Sequence, residues 1–486
     1  MKPKTPAPLF WLFAALIVIL TLAYSFLQTN ISEIKNDGLN NYYMAYNLSS
    51  RGLFSEDRAG LRPTMMREPV PVFALAGWLN LTFPNIADAD PALTNNKPAI
   101  VWVKASNLVW AAILLFSTLI AATAMTDRRW FGLAAMAFVA ATFFYAPWQT
   151  NILNTDLAAS AILMGCLAFA VILIKDRTWW AALGLGVCLG ILALTKAIAL
   201  YASLVFVPCL GLLMFLEREN FLRASLLMGL TLISMFVIIT PWVVRNYVVF
   251  DKPAIALRGG RVLYYRALLN EMPPETYKAA FYYWTDKAAQ PFIGSVTGYS
   301  RKDADNGGNG PAAPLNRGSS SFRLSDKAAE KAGAPEKAVA LLSKMRARHD
   351  HLSRQFKAKG APSPTAEAQA ILQKEAIDMI KAKPMHHIAA VAPIYWSMMW
   401  LRTVPVWVAP FVCASLFVAL AVGALTRNAR LLAFTLLPAG IMFLYLLTSH
   451  GLPRYSEPIV PVMVVTLLSL FFFAFRRQGA VASHRA

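Results

Sequence analysis

The chain contains ten apolar stretches that are long enough, or nearly so, to cross a lipid bilayer. A helix rises about 1.5 Å per residue, so about 20 apolar residues cover a hydrocarbon core about 30 Å thick. The stretches lie at residues 9–27, 100–125, 131–149, 157–174, 180–195, 197–216, 224–243, 404–425, 431–449 and 457–475. They are continuous, so they predict helices and not barrel strands. A content of 57% hydrophobic and 15% charged residues excludes a soluble protein.

Basic residues beside the short connections predict the orientation in the membrane. If the ten spans alternate, the following residues all fall on one side: Lys2, Lys4, Arg128, Arg129, Lys175, Arg177, Arg218, Arg223, Arg427, Arg430, Arg476 and Arg477. That side is predicted to be the cytoplasm, and both termini lie there. The first apolar run has no clear cleavage site after it and is interpreted as an uncleaved span.

The predicted fold is an all-α polytopic membrane protein in three parts. Residues 1–245 form an N-terminal transmembrane module that includes a first outer loop at 28–99. Residues 246–403 form an outer loop or lid, and 404–486 form a C-terminal transmembrane module with a cytoplasmic tail.

Both outer segments have predicted structure of their own. In the first, Tyr42, Tyr43, Tyr46 and Leu53 have helical spacing, which predicts an interfacial amphipathic helix. The apolar run 72–83 is too short for a span and is predicted to re-enter the membrane or to lie at its surface. In the second, helical patterns at 325–358 and 364–383 predict a small helical subdomain, and the Gly- and Ser-rich segment 298–321 predicts a mobile loop.

The net charge of +20 does not indicate a nucleic-acid partner. The cations are spread between loop ends and the long outer loop, a distribution that a membrane protein explains. No disulfide framework is predicted, since all four cysteines fall within predicted spans: Cys166, Cys188, Cys209 and Cys413.

Two carboxylates, Asp37 and Asp156, are predicted at the outer ends of spans. An acid there is costly, and it is a functional hypothesis by default. The alternative for Asp37 is an Asp-Gly turn, and the alternative for Asp156 is a helix cap, for which Thr155 competes.

Cations are predicted at the same outer boundary. Arg67, Lys196 and Arg245 together could bind a phosphate, although each could also extend to lipid headgroups. Arg454 and Glu457 precede the last span and could pair with each other. The adjacent His386 and His387 point in different directions on a helix, which argues against a metal site there.

The order of these motifs resembles that of the GT-C glycosyltransferases, especially the protein mannosyltransferase and aminoarabinose transferase branch. The resemblance covers most of the chain outside 265–370. It is carried by Asp37 with Tyr42 and Tyr43, Arg67-Glu68-Pro69, Asp156, Gly190 through Lys196, Pro241 through Tyr247, and Arg454 through Pro458 and Pro461.

The resemblance implies a GT-C-like bundle and transfer of a sugar from a polyprenyl-phosphate-linked donor to a glycan, lipid or protein acceptor at the extracytoplasmic face. Asp37 would then be the catalytic or acceptor-orienting carboxylate, and Asp156 would assist it or hold a metal. No cofactor is implied with certainty, and a divalent metal held by the two carboxylates is left open. The basic residue of the first loop, often in Lys-Pro-Pro, is here in Arg67-Glu68-Pro69.

Further roles follow from the same interpretation. Arg67, Lys196, Arg245 and Arg454 are predicted to bind the substrate phosphate, and Tyr42, Tyr43 and Glu457 to contact substrate. A single general base that assists direct displacement predicts inversion at the anomeric carbon.

Two other classes of function compete with this interpretation. A transporter or flippase of lipid-linked saccharides would use the cations as a phosphate path and need no base, but neither inverted repeats nor charges deep within spans favour it. A membrane scaffold would leave the ordered acids and bases unexplained. The absence of a disulfide framework, the short cytoplasmic loops and the basic outer loop suggest a bacterial inner membrane, with the active site facing the periplasm.

Overall fold

The protein is helical throughout the part that the computed structural model describes, which is residues 7–144, 148–257, 259–300, 303, 310–316, 324–361 and 363–483. No β-strand occurs in these ranges. The α-helices in chain order are α1 Ala7–Leu27, α2 Asn36–Arg51, α3 Pro69–Thr82, α4 Pro91–Thr94, α5 Ile100–Lys104, α6 Asn107–Thr126, α7 Arg129–Phe143, α8 Trp148–Asn151, α9 Asp156–Asp176, α10 Trp179–Ala193, α11 Ile198–Leu216, α12 Phe221–Phe250, α13 Gly259–Leu268, α14 Pro274–Tyr283, α15 Gln290–Thr297, α16 Leu324–Ala332, α17 Leu341–Ala358, α18 Pro364–Ala382, α19 Pro384–Ala389, α20 Val391–Met399, α21 Ala409–Leu425, α22 Ala429–Thr448 and α23 Val460–Ser483. Short 3-10 turns lie at Ile86–Ala89, Leu269–Glu271, Ala313–Leu315, Pro335–Lys337, Pro453–Tyr455 and Glu457–Ile459.

The chain divides into two compact units. Unit 1 comprises Met1–Ile255, Phe411–Ile441 and Glu457–Ala486, and unit 2 comprises Ala256–Pro410 and Met442–Ser456.

The protein is a multi-pass membrane protein. Within the described ranges, seven helical segments are long and apolar enough to cross a bilayer: Pro8–Leu27, Ile100–Thr126, Asp156–Asp176, Ile198–Leu216, Phe221–Phe250, Ala429–Thr448 and Pro453–Ala474. The other three predicted spans correspond to α7, α10 and α21, which have 15, 15 and 17 residues. At about 1.5 Å per residue these helices fall short of a 30 Å core. The expected count of ten spans is therefore not confirmed.

Ion pairs join several loops at one end of unit 1, here called the Asp127 end. Asp127 lies between α6 and α7, and its carboxylate binds Lys175 Nζ at 2.7 Å and Arg430 Nη1 at 2.5 Å. Burial alone would raise the pKa of Asp127, but hydrogen bonds from these two cations bring the pKa below its ordinary value. At the α11–α12 connection, Glu219 binds Arg177 Nε at 3.0 Å. These contacts place four connections that the sequence assigns to one side, α6–α7, α9–α10, α11–α12 and α21–α22, at the same end of unit 1.

Close helix packing builds the centre of unit 1. Helix α10 lies against α12 where Gly186 and Gly190 face it, and a Cβ atom added at Gly186 would collide with Ser234 Oγ and Thr231 O. Small residues allow such close backbone approach in lipid, where packing and not water exclusion drives association. Helix α9 is enclosed on nearly all sides, and 83% of the residues in its most apolar stretch are buried.

The first outer loop contains the predicted helices. Helix α2 covers the predicted tyrosines, but Leu53 lies beyond its end at Arg51. Tyr42 and Tyr43 are buried among protein groups and do not form a free apolar face. The run predicted at 72–83 is the helix α3, which begins at Pro69 with Pro at its first turn.

Unit 2 contains the predicted helical subdomain as α16, α17 and α18, with an ion pair between Arg348 on α17 and Glu375 on α18. Its most buried cation is Arg266, which donates to Leu446 O at 3.0 Å, to Asn270 Oδ1 at 2.9 Å and to His387 O at 2.6 Å. Burial lowers the pKa of Arg266 to about 10. The loop predicted at 298–321 lies largely outside the described residues.

Candidate functional site

Two acid–base pairs lie at the end of unit 1 opposite Asp127. Arg67 Nη2 donates to Asp37 Oδ1 at 2.6 Å, and Lys196 Nζ donates to Asp156 Oδ1 at 2.7 Å. The Asp37 side chain is 30% exposed while Arg67 is 4% exposed. In the other pair Asp156 is 3% exposed and Lys196 is 16% exposed. One member of each pair is therefore more exposed than its partner, the acid in the first pair and the base in the second.

Asp37 is positioned by the first turn of α2. It follows Asn36, which has a φ of 53°, and it lies in the helix, so the Asp-Gly turn alternative is wrong. A carboxylate in the first turn interacts favourably with the helix dipole. This turn packs against the chain that leads into α9, since a Cβ at Gly38 would lie 3.1 Å from Ile34 Cγ2 and 3.4 Å from Leu153 N. Asn41 Nδ2 then donates to Leu153 O at 2.9 Å.

Asp156 is the first residue of α9, and Thr155 occupies the N-cap position without a side-chain cap hydrogen bond. The N-cap is therefore Thr155 and not Asp156. The Oδ1 atom of Asp156 instead accepts a hydrogen bond from Lys196 Nζ. Lys196 follows the end of α10 at Ala193. Helix α9 has 21 residues, so Asp156 is about 30 Å along the helix axis from the Lys175 end.

The two pairs are linked through the backbone. The segment that carries Arg67 continues into α3, where Val70 N donates to Leu194 O at 3.2 Å. Ala197, the residue after Lys196, donates its backbone N–H to Glu68 Oε1 at 3.5 Å. Residues 67–70 therefore pack beside 194–197, and the structure brings together four of the predicted site residues: Asp37, Arg67, Asp156 and Lys196.

Arg245 supports the segment that leads to Arg67. Its Nη1 donates to Thr64 O and to Asn246 Oδ1, both at 2.8 Å. The guanidinium also lies over three aromatic rings, at 4.8 Å from the Trp242 centroid, 5.2 Å from Phe250 and 5.6 Å from Phe54. Arg245 is thus held by protein groups on several sides.

The remaining predicted residues have different surroundings. Tyr42 is fully buried, and its hydroxyl donates to Ala89 O at 2.7 Å and contacts Thr94 Oγ1 at 2.7 Å. Burial raises the pKa of Tyr42, so its hydroxyl stays protonated. The Tyr43 ring lies 5.6 Å from the Arg58 guanidinium carbon.

The last two predicted residues precede helix α23. Glu457 is buried in a 3-10 turn of unit 1 that packs against α9. Arg454 lies in unit 2 in the turn Pro453–Tyr455, and the ring of the next residue, Tyr455, stacks on Tyr445 with the centroids 4.9 Å apart. Their predicted contacts with substrate remain predictions.

The residues present do not fit the open alternative of a metal held by Asp37 and Asp156. Each carboxylate is already bound to a cationic side chain. In the part of the chain that the structure describes, no group of three or more His, Cys, Asp or Glu side chains is suitably placed for a metal ion.

Three residues that shape the site are not among those that the sequence predicts for it. Gly38 and Asn41 join α2 to the α9 entry, and Glu68 flanks Lys196. A helical pattern places Asn41 one turn after Asp37, which was the available signal. Gly38 and Asn41 both lie against Leu153, which is more than 100 residues away in sequence. No local sequence pattern indicates such a contact.

No protein-family model matches the chain, and no curated protein sequence matches it. The chain is similar over 98% of its length to the oligosaccharyltransferase of Archaeoglobus fulgidus in the apo form, at 10% identity and a TM-score of 0.47, and it covers 52% of that protein. It is similar over 95% of its length to ArnT from Cupriavidus metallidurans in the apo state, at 15% identity and a TM-score of 0.35, covering 77% of that chain. It is similar over 93% of its length to ArnT from Cupriavidus metallidurans bound to undecaprenyl phosphate, at 15% identity and a TM-score of 0.36, covering 76% of that chain.

The chain thus spans about half the length of the archaeal protein. Because all these TM-scores lie below 0.5, what this chain does is inferred from its own residues.

Proposed function

We propose that the protein is a glycosyltransferase that moves a hexosyl or pentosyl unit from a polyprenyl-phosphate-linked donor to an acceptor at the extracytoplasmic face of a bacterial inner membrane. The observation that carries this proposal is the joined arrangement of Asp37–Arg67 and Asp156–Lys196 at one end of a membrane bundle. It supplies an accessible carboxylate and an accessible ammonium on adjoining segments.

The chemistry needs these two groups. An acceptor hydroxyl forms a bond to the anomeric carbon, the bond between that carbon and the phosphate oxygen breaks, and polyprenyl phosphate leaves. Asp37 takes the acceptor proton as general base. In this proposal Lys196 neutralises the charge that develops on the leaving phosphate. The donor already carries its leaving group, so positioning and charge stabilisation account for most of the catalysis.

The cations have separate roles in this proposal. Arg67 orients Asp37 through the 2.6 Å hydrogen bond and adds positive charge beside Lys196. Arg245 acts as a positioning residue, because its hydrogen bond to Thr64 O holds the chain three residues before Arg67. Arg454 is assigned to the phosphate on the sequence resemblance alone.

Direct displacement with one base inverts the configuration at the anomeric carbon. Asp156, the second carboxylate, is 3% exposed and bound to Lys196, an arrangement that favours a structural role over attack on the sugar. The product anomer, identified by NMR, tests the proposed inversion. Retention would require a second nucleophile.

The experiment follows lipid-linked donor in membranes from cells that express wild type or Asp37→Asn. Extracted polyprenyl-phosphate sugars are added, and loss of the donor is measured by mass spectrometry. We expect wild type to consume one donor and Asp37→Asn to consume it about 10²- to 10⁴-fold more slowly, which is the usual contribution of a general base.

Asp88→Asn is the matched control, since Asp88 is an exposed carboxylate in the same outer loop. It should behave as wild type. Equal rates in all three proteins would remove Asp37 from the mechanism. Donor that crosses the bilayer while remaining intact would identify a transporter instead.

A further inference from the structure

We infer that α15 docks on the surface of the lipid bilayer, and that Phe292, Val296 and the nearby Trp407 insert between the lipid headgroups and the first acyl carbons. The partner is the bilayer itself, and the attraction is apolar, so anionic lipids are not required. This docking does not depend on the proposed function. It gives a lipid-binding role to a segment that the sequence predicts only as part of the outer loop or lid.

Helix α15 has one packed side and one exposed side. Gly294 lies on the packed side, because a Cβ added there would be 2.8 Å from Tyr299 O and 3.2 Å from Tyr282 Cε2. Phe292 and Val296 are four residues apart, so they share a side of the helix, and they are 59% and 71% exposed. The helix therefore presents two large apolar side chains away from the rest of unit 2.

Trp407 extends the exposed side of α15. It is 56% exposed, and its ring lies 6.2 Å from the Phe292 ring, centroid to centroid, in an edge-on arrangement. The next residue, Val408, is exposed as well. Phe292, Val296, Trp407 and Val408 are here called the α15 patch. Contiguous exposed apolar residues of this kind mark an interaction surface.

Chain continuity identifies what covers the α15 patch. Val408 leads directly into α21, an apolar helix of 17 residues that begins at Ala409. The exposed residues of α21 include Phe411, Val418 and Leu425, and in a multi-pass membrane protein such an apolar side is covered by lipid. The patch thus adjoins the start of a lipid-covered helix. Trp is enriched at this level of the bilayer, because its ring is apolar and its N–H is polar.

The polar side chains of α15 need little water. Ser295 lies on the exposed side, and its hydroxyl donates to Phe292 O at 2.7 Å. The hydroxyl of Thr297 donates to Ile293 O at 2.8 Å. Because these groups are already hydrogen-bonded, the cost of moving them out of water is small. No residue of α15 is charged, so apolar burial and not attraction to anionic headgroups drives the docking.

Fluorescence quenching tests the inference in the full-length protein with its four native cysteines replaced. A bimane label is attached at Ser295→Cys, and a single protein molecule is placed in a nanodisc of phosphatidylcholine that carries a nitroxide near the head of its acyl chain. Phe411→Cys on α21 is the lipid-exposed reference. An apolar face of an interfacial helix is buried about 5–10 Å into the headgroup boundary, so we expect the Ser295→Cys label to be quenched at least about half as strongly as the reference.

A variant of the patch identifies the side chains responsible. Phe292→Asp/Val296→Asp places two charges on the exposed side and leaves the packed side unchanged. Charged groups avoid the interface interior, so quenching by the nitroxide lipid should fall about threefold, and quenching by aqueous iodide should rise. Gln373→Asp/Ile377→Asp is the matched control, because these two residues have the same spacing and are exposed on α18. It should leave quenching unchanged.

Three outcomes would overturn the inference. If iodide quenches the label in the unaltered patch and the nitroxide lipid does not, the patch faces water. If neither quencher acts, protein covers the patch. If the nitroxide lipid acts only after phosphatidylglycerol is added, basic residues of unit 2 and not the α15 patch hold it to the bilayer; we expect phosphatidylglycerol to have no effect. None of these measurements requires sugar transfer, so the proposed function is tested separately.

Discussion

At the scale of single residues, the pair of Asp156 and Lys196 is the most buried charge pair of the site. Removal of one partner leaves the other charge buried without compensation, which typically costs about 3–5 kcal/mol. Asp156→Asn should therefore lower the free energy of unfolding by about that amount. The double variant Asp156→Leu/Lys196→Met should recover most of the stability, because both charges are gone.

Sugar transfer distinguishes structure from chemistry in this series. Thermal unfolding in detergent measures stability, and donor consumption measures activity. We expect the double variant to be stable and inactive, since Lys196 is needed at the leaving phosphate. A stable double variant with normal transfer would mean that the pair has only a structural role.

Protonation of His387 gives a pH prediction for unit 2. Burial, followed by the charge of Arg266, lowers the pKa of His387 to about 4, from about 6.5 in the unfolded chain. The unfolded state thus binds more protons between these values. The contribution of His387 to the free energy of unfolding, roughly 3 kcal/mol, is fully present above about pH 6.5 and is lost as the pH falls toward 4.

The measurement is Tm against pH for wild type and His387→Gln, which removes the titrating group. The slope between pH 6.5 and 4 should be smaller in the variant. His386 is the adjacent exposed residue, and His386→Gln should retain the wild-type slope. Identical slopes in all three proteins would contradict the assignment.

At the scale of elements, the packing of α10 on α12 sets the position of Lys196. Gly186→Val would place a side chain against Ser234 and Thr231 and force the helices apart. Overpacking of this kind typically costs about 1–3 kcal/mol. We expect lower Tm and slower donor consumption, because α10 ends just before Lys196.

Gly229→Val on α12 is the control for this change, since its added side chain meets open space. It should keep both Tm and transfer. If Gly186→Val lowers Tm but not transfer, the position of Lys196 does not depend on the α10–α12 contact.

Elements also show what the sequence could predict. Long apolar runs placed the main helices well, since helix formation in lipid depends on local composition. Helix α10 ends at Ala193 and not at 195, and α21 begins at Ala409 and not at 404, because end positions depend on tertiary contacts. Asp37 and Arg67 could each be selected by local position. Their pairing could not, because it depends on how α2 and the chain before α3 fold together.

For Arg245, the sequence and the fold predict different roles. From sequence alone, a cation at the outer end of a span indicates phosphate binding. Only the fold shows that Phe54 and the carbonyl of Thr64, from a distant segment, lie against its guanidinium. A residue selected for its charge thus has a positioning role that depends on contacts about 180 residues apart in sequence.

At the scale of the whole molecule, the ion pairs of Asp127 predict how the protein is oriented in the membrane. Asp127 holds Lys175 and Arg430 at one end of unit 1, and Asp37, Asp156 and their partners lie at the other. Basic residues near short loops mark the cytoplasmic side. We therefore expect the Asp127 end in the cytoplasm and the candidate site outside.

Single cysteines test this orientation in a variant that lacks Cys166, Cys188, Cys209 and Cys413. Arg427→Cys, in the exposed loop before α22, should react with a membrane-impermeant maleimide only after the cells are permeabilised. Lys359→Cys, which is exposed after α17, should react in intact spheroplasts. The reverse pattern would place Asp37 in the cytoplasm, where it would need a cytoplasmic acceptor. The proposed transfer at the outer face would then fail even if Asp37 were the base.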